Sequence, residues 1–142
     1  MSDQDVFLEF FEEWSELHRS IQGELSILGK ALARVTQVKV ASMNVVDNAL
    51  PPGAPFKSTE GLAGKIYLVP ADKKHPPILF QDMPAAKEML AFIYKRASVR
   101  FNYNEIYAKI VNYKFEAKEK ALNEAETAQA EKERALFEED EL

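Results

Sequence analysis

The six residues Val6 to Phe11, VFLEFF, are apolar except for Glu9. A run of that length and aromatic content reads as a buried parallel strand. From Ser15 to Arg34 the apolar positions Leu17, Ile21, Leu25, Leu28 and Leu32 recur every three to four residues, which predicts a helix with Ser15 as its N-cap. Val38 to Met43 alternates as a second strand does, with Val38, Val40 and Ser42 on one face and Lys39, Ala41 and Met43 on the other. Strand, helix, strand in this order predicts a right-handed parallel unit.

The second half opens with Ala49 to Ala54, where two prolines and a glycine make a loop. Lys65 to Pro70 and Pro77 to Gln81 read as short antiparallel strands of a hairpin. Pro84 is placed in the first turn of a helix carrying Met89, Phe92 and Ile93 to about Ser98. The result is an α/β fold, a mixed sheet flanked by helices. After Asn102 the chain becomes rich in glutamate, lysine and alanine without glycine or proline, which predicts one long helix of about 35 residues. Tyr103, Ile106, Tyr107, Ile110 and Tyr113 form its apolar stripe and are expected to dock on the domain. Beyond Phe115 the stripe thins to alanine, and the acids from Glu138 to Glu141 oppose the helix dipole and favour unwinding. Two regions are expected, residues 1–100 as the domain and 101–142 as a charged C-terminal helix.

Zero cysteines among 142 residues remove thiolate chemistry, structural disulfides and cysteine-based metal sites together. The two histidines, His18 and His75, lie far apart without carboxylates at ligand spacing, so neither a metal nor a cofactor is expected. A net charge of -5 with no basic run argues against nucleic acid. The apolar runs are too short to span a membrane, and acids occupy the N-terminal positions where a secretory signal is basic.

The segment Asp5 to Arg19, DVFLEFFEEWSELHR, resembles the active-site segment of the protein disulfide isomerase family. There a hydrophobic strand with an embedded glutamate precedes Trp-Cys-Gly-His-Cys-Lys at the start of a helix. Here the motif is Trp14-Ser15-Glu16-Leu17-His18-Arg19. The similarity continues through LGKALARV, VKVASMNVVDN, KIYLVPADKKHPPILF and the helix after Pro84, covering about the first 100 residues. The last four residues, Glu139-Asp140-Glu141-Leu142, look like the retrieval tetrapeptide that closes many members. The resemblance implies a thioredoxin-like fold, a place in the endoplasmic reticulum lumen and a retrieval receptor as one partner. Family domains begin with a further strand and helix, and only five residues precede Val6 here.

The same comparison implies that the redox machinery is gone. Ser15 stands where the attacking cysteine would be and His18 where the resolving one would be. Gly64 aligns with the family's active-site proline, Ser42 lies near the position of the lysine partner of the embedded glutamate, and Pro84 near that of an arginine. Of the machinery only Glu9 remains. Serine cannot form or break a disulfide, so the domain is expected not to be an enzyme. Ser15, His18 and Glu9 could make a triad by residue type, but a serine and histidine three apart on one helix rarely face each other, and Glu9 with His18 is read instead as a structural pair. Trp14 is read either as a core residue at the strand end or as the exposed aromatic of a peptide-binding surface. Leu17, and Leu62 in a loop that is usually solvent-facing in such folds, are the other candidate contacts. The expected function is a non-catalytic module binding polypeptide clients or partners in the endoplasmic reticulum. The alternative is a structural element self-associating through the long C-terminal helix.

Overall fold

The computed structural model describes residues 4–51, 53–72, 74–98 and 100–140, with 137–140 described as backbone only. Its order is β1 (Asp5–Phe11), α1 (Glu16–Ala31), β2 (Val38–Asn44), β3 (Ile66–Val69), β4 (Ile78–Leu79), α2 (Ala86–Arg96) and α3 (Tyr103–Asp140). The four strands form one mixed sheet in the order β2-β1-β3-β4. β1 is parallel to β2 and antiparallel to β3, and β3 to β4 is the expected antiparallel hairpin.

Alternation along β1 sorts the core. Phe7 turns toward the helices, meeting Phe80 edge-on at 5.7 Å and Phe92 at 6.1 Å. Phe10 turns to the other face, where Phe56 and Tyr67 cover it at 5.0 and 6.1 Å. On the helix side α1 buries Ile21, Leu25, Leu28 and Ala31, and α2 buries Met89, Leu90, Phe92 and Ile93. Full burial of such side chains contributes roughly 1.5–3 kcal/mol each.

The element ends differ from expectation at three places. α1 stops at Ala31 rather than Arg34, because tighter bonds from Ala33 N–H to the Lys30 carbonyl and from Val35 N–H to the Leu32 carbonyl turn the chain toward β2. Pro84 lies ahead of α2 rather than in its first turn. Ala85, extended at φ -110, offers no side-chain cap, and the Glu24 carboxylate of α1 instead accepts the Ala86 N–H at 3.2 Å. α3 is helical to Asp140, through Glu138, Glu139 and Asp140 of the acids expected to unwind it, Glu141 lying outside the described residues. A dipole penalty of about 0.3–1 kcal/mol is small beside the helix propensity of that alanine- and glutamate-rich stretch.

Asp5, 1% exposed, ties three elements together. It accepts the Ala71 N–H at 2.7 Å, the Ser98 N–H at 2.6 Å and the Ser98 hydroxyl at 2.9 Å. The chain divides into two units, Met1–Ile110 and Val111–Leu142, with the boundary inside α3. In the first unit Asn102 caps α3 through the Glu105 N–H, and Ile106 and Ile110 are buried, whereas Tyr107 of the expected stripe is 36% exposed. In the second unit Phe115, Leu122 and Leu136 are exposed. Among the described residues no helix is long and apolar enough to cross a membrane.

Candidate functional site

Ser15 is the N-cap of α1, with φ -71 and ψ 122, and its hydroxyl accepts the His18 N–H at 3.3 Å. That bond satisfies one of the amides a helix start leaves unpaired. The hydroxyl is thereby engaged by the backbone, while the imidazole of His18 bonds Glu9. Glu16 is exposed on the first turn.

Glu9, 2% exposed, lies beneath this turn. His18 Nδ1 is 3.0 Å from both of its carboxylate oxygens. The Ser42 hydroxyl, brought opposite Glu9 by the β1–β2 register, donates to Oε1 at 3.1 Å. The imidazole also stacks on Phe11 with centroids 3.8 Å apart and planes 7° from parallel. A carboxylate at Nδ1 selects the tautomer protonated there. Chemically the cluster is a satisfied buried carboxylate, and no nucleophile is activated by it. The expected Glu9 to His18 pair is present, and Ser42, which the resemblance set near the position of the glutamate's lysine partner, supplies a second bond from the position beside Glu9 in the parallel register.

The apolar side of the helix start is open. Trp14 is 62% exposed and Leu17 48%, so Trp14 is a surface aromatic and not a core residue. Leu17 borders a shallow hollow of about 210 Å³ whose wall includes Ile21, Gly64, Ile66, Phe80 and Pro84. Gly64 reaches this position in a left-handed conformation, φ +84, with its N–H donating to the Phe10 carbonyl at 2.9 Å. A Cβ on Gly64 would stand 3.9 Å from a Leu17 methyl. The helix start and the approach to β3 therefore meet at Leu17 and Gly64. Leu62 does not join them. It is 7% exposed and belongs to the core, because the turns from Thr59 to Lys65 fold it inward. Met83, 68% exposed beside Pro84, was missed, since an isolated methionine in a loop carries no periodic signal.

No family model matches the chain, and no curated protein is found similar to it. Its site must be read from its own chemistry. Among the described residues no three His, Asp or Glu side chains converge as a metal would require. Of the C-terminal tetrapeptide, Glu141 and Leu142 lie outside the described residues, and Glu139 and Asp140 are described in backbone alone.

Proposed function

We propose that the first unit is a thioredoxin-like domain of the protein disulfide isomerase type that has lost thiol chemistry and binds polypeptide. The observation that carries this reading is Leu17, 48% exposed on the wall of the hollow at Gly64, with exposed Trp14 three residues before it in sequence and exposed Met83 between the lining residues Asp82 and Pro84. Exposed large apolar side chains grouped at a concave site are costly to maintain in water and mark interaction surfaces. The fold supports the family reading: a central β1 parallel to β2, an antiparallel β3–β4 hairpin, and α1 and α2 packed on one face. The absence of cysteine supports a role without disulfide exchange. Similarity of Glu139-Asp140-Glu141-Leu142 to a retrieval tetrapeptide supports the endoplasmic reticulum lumen as the compartment, with a retrieval receptor as second partner.

Trp14 is the only tryptophan, so its emission reports directly on the site. Adding a permanently unfolded polypeptide that carries no tryptophan of its own, such as carboxymethylated ribonuclease A, should shift Trp14 emission to the blue, and Leu17→Ser should weaken that binding about tenfold, roughly 1.4 kcal/mol. Unshifted emission, or binding indifferent to Leu17→Ser and Met83→Ser, would remove the reading. A second reading, self-association through α3, is favoured by exposed Phe115, Leu122 and Leu136 at multiples of seven residues. Sedimentation of the chain with all three changed to serine separates the two, because only self-association loses an oligomer.

A further inference from the structure

The hollow at Gly64 measures about 210 Å³, below the roughly 300–1,000 Å³ of sites that enclose a whole small molecule. It has room for one side chain of a bound polypeptide. Ile21, Ile66 and Phe80 are 4%, 6% and 7% exposed and so show only at its floor, while Leu17 stands on its wall. Phe80 is fixed there by its edge-on contact with Phe7 and by its N–H, which donates to the Ile66 carbonyl at 2.8 Å. From Phe80 the chain continues along the hollow through Gln81 and Asp82. Asp82 is exposed, and among the described residues no hydrogen bond or ion pair engages its carboxylate.

Among the described residues that line the hollow, Asp82 is the one that carries a charge. The cations nearest in sequence to its walls face elsewhere. Arg19 lies about 200° round α1 from Leu17. Lys65 comes between Gly64 and Ile66, which both line the hollow, and alternation sends it to the opposite face of the sheet with Tyr67. Lys87 reaches the Tyr107 ring, 5.4 Å from its centroid. The positive ends of α1 and α2 are close by, and each carries an acid in its own first turn, Glu16 and Glu88, which offsets that partial charge. The hollow is thus apolar in depth and negative at its mouth. It also lies away from the β2 edge: a strand joining the sheet outside β2 would be three strand spacings from β3, about 14 Å.

We infer that the hollow takes a lysine or arginine side chain of the bound polypeptide, with its hydrocarbon stem against Leu17, Ile66 and Phe80 and its cationic tip at Asp82. Lysine and arginine have this division, an apolar stem of about three or four carbons that ends in a positive charge. An aliphatic side chain would fill the floor and leave Asp82 without a partner, and an acidic one would be repelled at the mouth. The inference rests on the reading that the surface at Gly64 binds polypeptide, and it names the residue of a client that is selected there.

The probes are acetylated and amidated peptides Gly-Ser-Ala-X-Ala-Ser-Gly, with lysine, norleucine or glutamate at X. Titrated into the full chain, the lysine peptide should move the NMR methyl signals of Leu17 and Ile66 and bind about threefold or more tighter than the glutamate peptide, a preference that fades in about 1 M salt. Asp82→Asn should weaken the lysine peptide about threefold and leave the norleucine peptide unchanged, and Asp82→Lys should transfer the preference to glutamate. Both are changes at an exposed loop position, where the fold tolerates substitution. Leu17→Ser should weaken the lysine and norleucine peptides alike. The inference is overturned by lysine binding indifferent to Asp82→Asn, by an equal loss for lysine and norleucine, by lysine binding that leaves the Leu17 and Ile66 methyls unmoved, or by no binding of the peptides. In each of these cases carboxymethylated ribonuclease A that still shifts Trp14 emission keeps the polypeptide reading, and unshifted emission removes that reading as well.

Discussion

Glu9 illustrates how a buried carboxylate is made tolerable. Its oxygens face His18 Nδ1 at 3.0 Å, and Ser42 adds a hydroxyl at 3.1 Å. Removing the hydrogen-bond partner of a buried polar group leaves that group unsatisfied, a cost of about 1–3 kcal/mol. His18→Ala should therefore lower stability to urea by about 1–3 kcal/mol, and adding Glu9→Gln in the same chain should restore part of the loss. Equal unfolding midpoints for His18→Ala and the parent chain would mean that the pair is not structural. The histidine and glutamate could be named from sequence because a resemblance set position 18 above position 9. Asp5 could not, since its donors come from positions 71 and 98, and nothing local distinguishes it from other acids near the N-terminus. Leu62 misled for the opposite reason: a loop residue reads as exposed until the turns around it show that it is folded under.

At the scale of elements, α1 and β2 were readable from their periods, near 3.6 and about 2 residues, β1 from a continuous apolar run, β3 and β4 as short segments of a hairpin, and most of α3 from composition. The ends were not, because partners from other elements fix them. Glu24, 62 residues away in sequence, sets the start of α2. The β3–β4 turn shows a local counterpart. There the Lys74 N–H donating to Asp72 at 2.9 Å, with His75 Nδ1 at 3.0 Å from the other oxygen, holds the Asp72 carboxyl below its ordinary value of 3.8. A lowered acid favours folding above its unfolded value, and that contribution disappears as pH falls through the folded one. A carboxyl carbon NMR titration should place the Asp72 midpoint below 3.8, and Lys74→Pro, which removes the N–H donor, should raise it. A midpoint unmoved by that substitution would show that the amide is not its cause. The effect on global stability should be small, because the group lies in solvent.

For the molecule as a whole, 142 residues without cysteine cannot exchange disulfides through a thiol of their own. The compartment reading has a direct measurement. Placed behind a secretion signal in cultured cells, the chain should stay inside, and deletion of Glu139 to Leu142 should send it to the medium. Equal secretion of both forms would discard the endoplasmic reticulum assignment.

Helix α3 begins as part of one unit and continues as the other, and this bears on where the domain can be cut. A change of composition after Asn102 invites a boundary near residue 100, yet Ile106 and Ile110 are 3% and 0% exposed. A gene fragment stopped at residue 100 would leave out two side chains that fill the interior, at a cost of roughly 1.5–3 kcal/mol each. A fragment carried through Ile110 keeps both of these side chains.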